Sequence, residues 1–147
     1  MREPYQVLVI LYNNDIELKI CVFHRKKSDY WQFVSGGKES HDKDLIDTVV
    51  REIFEETGLN IKRDEVKTLE TITSIPAIWF EELKENTILV KENCFAVYLD
   101  SFSNISLCDE HDRMLVVTSK EAFDLLQWDS NKTALYELST KLKNRLI

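Results

Sequence analysis

Tyr5 to Tyr12 carries Val7, Leu8, Val9, Ile10 and Leu11 without a polar break, which predicts a strand covered on both faces. Asn13-Asn14-Asp15 is a turn signal, and Leu18 to Phe23 reads as a second strand, so the two form a candidate hairpin. Trp31-Gln32-Phe33-Val34 predicts a short strand that ends at Ser35-Gly36-Gly37. From Asp44 to Thr57 the period changes. Ile46, Val49, Val50 and Ile53 stand at i, i+3, i+4 and i+7 and make one helical stripe. Gly58 is placed to close that helix at C′, with Leu59 able to pack back on Phe54.

Further strands are expected at Val66–Thr73, Cys94–Leu99 and Met114–Val117. Two helices then close the chain. Thr118-Ser119-Lys120-Glu121 has the form of a capping box, and Ser130 is a candidate cap for the last helix, whose Leu135, Leu138 and Leu142 share a face. Strands mixed with helices and hairpin-like links predict an α/β (α+β) domain, a mixed sheet covered by helices. There is no repeat, low-complexity tract or linker, and three glycines and two prolines leave little room for a hinge. One domain spanning 1–147 is the expectation.

Composition narrows the function. Hydrophobic residues make up 44% and charged residues 31%, an ordinary globular balance that argues against disorder. A net charge of -7 repels a phosphate backbone, so a nucleic-acid polymer is not the expected partner. A small phosphorylated molecule stays possible, because a bound cation inverts the local charge. Cys21, Cys94 and Cys108 have neither a C-x-x-C spacing nor an even count, so they read as reduced, buried thiols. No signal peptide or membrane span is visible, which makes the cytoplasm the expected location.

The chemistry concentrates at the end of the first helix. Glu52, Glu55 and Glu56 stand at i, i+3 and i+4 and share an arc of roughly 100°. Like charges four apart repel, and the helix C-terminus disfavours anions, so two local rules are broken at one place. A hard cation such as Mg²⁺ relieves both, since it prefers carboxylate oxygens. The bare spacing is equally that of a solvated acidic face.

The flanking residues decide between these readings. Gly37-x5-Lys43-x7-Arg51-Glu52-Ile53-x-Glu55-Glu56-x-Gly58-Leu59 resembles the Nudix box, G-x5-E-x7-R-E-U-x-E-E-x-G-U with U bulky and aliphatic, over residues 37–59. Eight of nine specified positions match. The resemblance implies an α/β/α sandwich and a pyrophosphohydrolase that uses Mg²⁺, with Mn²⁺ as a substitute. It implies Glu52 and Glu56 as metal ligands with Glu55 close behind, Arg51 orienting the carboxylates, and the Gly36 and Gly37 backbone beside metal or phosphate. Lys43 stands where the family has its first glutamate. Asp47, four residues before Arg51, is the candidate replacement partner, followed by Asp42, Asp44 and Glu39.

A further glutamate from a distant loop is common in the family as ligand or base, and Glu110 is the candidate. Either Glu55 or Glu110 serves as general base on this reading. The stretches around Phe23–Gly36 and Glu110–Leu135 resemble, more loosely, the dihydroneopterin triphosphate and dATP pyrophosphohydrolase branch. Dinucleoside polyphosphate hydrolysis and a catalytically silent nucleotide sensor are the alternatives. The basic cluster His24-Arg25-Lys26-Lys27 is either a phosphate receiver, chiefly through Arg25 and Lys27, or a plain basic turn, and Lys38 is equally open. Trp31 and Trp79 either stack on a planar base or pack in the core. His41 and His111 read as loop residues, with His111 able to orient Glu110. The partner is a small nucleotide or pterin triphosphate, and the chain is a monomer or homodimer.

Overall fold

The computed structural model describes residues 1–147. Its strands are β1 (Arg2–Asn13), β2 (Lys19–Arg25), β3 (Tyr30–Gln32), β4 (Val34–Glu39), β5 (Val66–Pro76), β6 (Leu89–Tyr98) and β7 (His111–Thr118). The helices are α1 (Leu45–Thr57), α2 (Ser119–Leu125) and α3 (Asp129–Lys143). All seven strands belong to one mixed sheet.

The expected β1–β2 hairpin forms only at its root, where Tyr12 faces Ile20 and Asn13 faces Lys19. The two strands then splay. β3 pairs with β2 along one arm, and β4 pairs with β1 along the other. The free edge of β1 takes β6 in parallel from Tyr5 to Tyr12, and the free edge of β2 takes β7. The chain therefore does not end its strand at Ser35-Gly36-Gly37, as the sequence reading had it. After a break at Phe33 the glycines continue in β4 as ladder residues opposite Val7 and Gln6.

Alternation explains why β1 reads as an unbroken apolar run. Leu8, Ile10 and Tyr12 belong to one core layer, with Val22, Phe33, Ala134, Leu135 and Leu138. Val7, Val9 and Leu11 belong to the other, with Phe23, Val34, Val49 and Ile53. Helix α1 thus covers one face, while α2 and α3 cover the opposite face. This is the expected α/β/α sandwich.

The ends of α1 follow its sequence. The Asp44 side chain accepts from Asp47 N–H at the N-cap. Gly58 takes the left-handed conformation at φ 77° and donates to Phe54 O. At α2 the Thr118–Glu121 capping box forms as read. At α3 the reading fails: the helix starts at Asp129, so Ser130 lies within its first turn and is not the cap. The helix is instead held by a buried side chain, Asn131, whose Oδ1 accepts from Phe33 N–H at the β3–β4 break.

Candidate active site

Helix α1 lies over β4 and brings Glu52 down onto Gly36. A Cβ at Gly36 would lie 1.9 Å from Glu52 Cδ, so only glycine admits this approach. Gly37 is constrained in the same way by Arg2, whose guanidinium occupies the space of a Cβ. The two adjacent glycines therefore make room for two different charged side chains.

The three glutamates differ in environment. Glu56 is 4% exposed, and neither carboxylate oxygen has a hydrogen-bond donor. Burial, then the neighbouring Glu52 charge, pushes its pKa well above the ordinary carboxylate range. Glu52 is raised to about 7, by burial first and the Glu55 charge second. Glu55 stands half-exposed at the rim.

Arg51 ties this group to the loop before the helix. It donates from Nε and Nη2 to the two Asp42 oxygens at 3.1 and 2.8 Å, and from Nη2 to Gly37 O at 2.8 Å. Its Nη1 donates to Glu52 at 3.1 Å and to Glu55 at 3.2 Å. Asp42 also accepts from Glu39 N–H and the Thr48 hydroxyl, each at 2.9 Å. Burial alone would raise the Asp42 carboxyl, but Arg51 and these two donors hold it well below its usual range.

The acid that pairs with Arg51 is thus Asp42, not the expected Asp47. Asp47 accepts from Lys43 N–H at 3.0 Å and pairs with Arg63, which also bridges Asp44. Helical spacing favoured Asp47; the fold of the β4–α1 loop carries Asp42 under Arg51 instead.

Glu110 lies across from α1. Its backbone carbonyl accepts from Lys26 N–H at 2.9 Å, and its carboxylate is 3.5 Å from Arg25 Nη1. Next to it, His111 is no loop residue. It begins β7, is 3% exposed, and places Nε2 3.8 Å from Glu56 Oε1. Burial lowers its pKa, which favours the neutral ring. No periodicity marked this residue, because a strand's first position follows from pairing with β2.

No three His, Cys, Asp or Glu side chains are gathered closely enough here to hold a metal ion between them. The arrangement is an open one: two sequestered carboxyl groups, Glu52 and Glu56, with Glu55 and Glu110 at the margin. Two unsatisfied buried oxygens on a like-charged pair fit a hard divalent cation that keeps free coordination positions.

A pocket of about 560 Å³ is lined by Arg25, Tyr30, Trp79 and Trp128 among others, and none of Glu52, Glu55, Glu56 and Glu110 lines it. Trp128 stands edge-on to Tyr30, with centroids 5.4 Å apart, and 6.1 Å from Trp79. Trp79 therefore lies where a planar ring can reach it. Trp31 does not line the pocket; it packs against His24 and the core layer beneath α3. The sequence reading missed Trp128, whose position depends on where α3 begins.

The remaining basic candidates separate. Arg25 lines the pocket and also reaches Glu110, so it joins the two regions. Lys27 is exposed in the β2–β3 turn. Lys38 is 13% exposed, and its ammonium binds Glu3 at 3.2 Å and Asp42 O at 2.9 Å, which directs it into the loop scaffold rather than the pocket. His24 is held between Asp112 at 2.7 Å and Asp29 at 2.8 Å, an engagement that raises its pKa.

The NUDIX domain family model matches residues 2–133, and this chain belongs to that family. A solved structure of a Listeria monocytogenes protein assigned to the NUDIX hydrolases is 38% identical, covers 97% of each chain and superposes with a TM-score of 0.84. The dihydroneopterin triphosphate diphosphatase of Haemophilus influenzae is 26% identical over 133 residues, 88% of this chain and 83% of that protein. The dihydroneopterin triphosphate pyrophosphohydrolase of E. coli shares the fold at a TM-score of 0.75, with 20% identity over 91% of this chain and 93% of its own. The protein is a NUDIX hydrolase acting on pyrophosphate bonds. No helix is long and apolar enough to cross a membrane.

Proposed function

We propose that this chain is a Mg²⁺-dependent pyrophosphohydrolase that cleaves within the phosphate chain of a nucleoside triphosphate or dihydroneopterin triphosphate and releases pyrophosphate. The observation that carries the reading is the buried Glu52–Glu56 pair, in which both Glu56 oxygens lack a protein donor, Glu52 accepts only from Arg51, and burial opposes the ionisation of both.

Glu52 and Glu56 would hold the cation, with Glu55 and Glu110 as flanking ligands. Mg²⁺ bound there supplies charge neutralisation for the phosphates and a more acidic water; Mn²⁺ substitutes. Arg51 sets the carboxylate positions through its shared bonds to Glu52, Glu55 and Asp42. Glu55 and Glu110, the more exposed acids, are the available proton acceptors. Arg25 stands between Glu110 and the pocket, where a phosphate chain would run toward a heterocycle beside Trp79 and Trp128. The similarity to dihydroneopterin triphosphate hydrolases supports that substrate class.

The test is a panel of dihydroneopterin triphosphate, dATP, other nucleoside triphosphates and diadenosine polyphosphates, assayed with Mg²⁺ for pyrophosphate and orthophosphate. Pyrophosphate release from a triphosphate is expected. Turnover confined to diadenosine polyphosphates would replace the substrate assignment. Glu56→Gln is expected to keep the fold and abolish turnover; an unimpaired variant would sink the ligand assignment.

A further inference from the structure

The pocket that Arg25 links to Glu110 contains two buried polar atoms without a partner in the protein. Glu92 is 5% exposed, and its Oε1 has no hydrogen-bond partner. Gln32 is also 5% exposed, and its Nε2 has none. Both residues line the pocket. A buried carboxylate oxygen and amide N–H left bare each forfeit their hydration without a replacement bond, and native proteins seldom leave such groups without a role.

The strand pattern shows that Glu92 is not a surface acid turned inward by chance. In β6, Cys94 and Ala96 belong to the layer beneath α3. Glu92 takes the next position of that alternation, beside Gln6 of β1 on one side and Thr73 of β5 on the other. The apolar layer thus ends in a polar row that forms part of the pocket lining. Trp79 and Trp128 offer aromatic surface in the same pocket. Burial raises the Glu92 pKa to about 6, with the Ser130 hydroxyl pulling it down. Above that value it is an acceptor only.

We propose that Glu92 and Gln32 read the edge of the substrate's heterocycle, with Glu92 accepting from a ring N–H or amino group and Gln32 donating to an adjacent carbonyl or ring nitrogen. The ligand chemistry is a planar heterocycle with a donor beside an acceptor. Guanine, adenine and pterin rings all present such an edge. This deepens the reading of the site as a triphosphate hydrolase and rests on it for the position of the phosphates. A site built to pair with a substrate donor rejects an analogue that lacks it, because its own buried group is then stranded.

The experiment separates ring recognition from hydrolysis. Metal-free protein is titrated calorimetrically with guanosine, 2′-deoxyadenosine, neopterin and purine riboside, the last having ring acceptors but no amino or ring N–H donor on its base. At least one donor-bearing ring is expected to bind roughly ten- to a hundredfold more tightly than purine riboside. The tightest of the three identifies the source. Glu92→Leu and the more conservative Glu92→Gln are expected to erase most of that preference, and hydrolysis of inorganic tripolyphosphate with Mg²⁺ by the wild-type protein reports on the phosphate site separately. A preference kept in both variants overturns the proposal, as does a wild type that binds purine riboside equally well. Tripolyphosphate turnover without ring binding overturns the edge reading and leaves the hydrolase standing. Ring binding with that preference, but no hydrolysis of any triphosphate, supports the edge reading and removes the hydrolase.

Discussion

Replacing Glu52 with glutamine should stabilise the metal-free protein while removing its activity. The carboxyl is raised from 4.5 to about 7 by burial and by the Glu55 charge. In the unfolded chain it ionises near the lower value, so between the two the folded state binds more protons. Stability therefore falls as pH rises through that window and levels off above it. The full difference corresponds to roughly 3 kcal/mol at a pH above both values. Glutamine keeps an acceptor for Arg51 but removes the charge, and loss of the charged partner offsets part of the gain. A net stabilisation of roughly 1–2 kcal/mol, about 2–8 °C in Tm for a domain of this size, is expected at pH 8 with EDTA. At pH 5 the difference should nearly vanish, because wild-type Glu52 is then largely protonated in the folded state. Millimolar Mg²⁺ at pH 8 should raise the Tm of wild type and leave the variant almost unmoved. Thermal melts at both pH values, with and without Mg²⁺, measure all of this. A variant less stable than wild type at pH 8, or a difference independent of pH, would refute the reasoning that the site stores repulsion for a cation.

Three further outcomes follow from the same geometry. Asp42→Asn removes the buried charge under Arg51 and should cost roughly 3 kcal/mol in a denaturant melt, together with ~10–100-fold in turnover. Because the Asp42 pKa is depressed, its contribution holds at neutral pH and fades as pH drops below about 4, so wild type and variant should converge in acid. Gly36→Ala places a Cβ 1.9 Å from Glu52 Cδ, so Mg²⁺ affinity by titration should weaken by at least ~10-fold while the melt shows a folded protein. Lys43→Glu, which restores the usual box residue, should shift stability by no more than ~0.5 kcal/mol, because Asp42 already satisfies Arg51; a large gain in melt or turnover would show that this pairing is incomplete.

The order of strands and helices was readable from periodicity, since burial on both faces leaves unbroken apolar runs and burial on one face leaves a helical stripe. Element ends were less legible. β4 runs on through Gly36 and Gly37 because pairing with β1, not local preference, decides where a strand stops. Helix α3 begins at Asp129 rather than after Ser130 because Asn131 is fastened to the β3–β4 break.

The sequence by itself determined the acidic end of α1, its caps and the box of spaced residues around it, because helical geometry fixes the relation of residues three and four apart. Tertiary structure decided the rest. It chose Asp42 over Asp47 for Arg51, set Glu52 against Gly36, turned His111 toward Glu56, and gathered Glu92, Gln32, Trp79 and Trp128 around one pocket. Each of these is a meeting of segments that chain spacing leaves undetermined. Only closure of the sheet and the docking of α1 and α3 on its two faces bring them within reach.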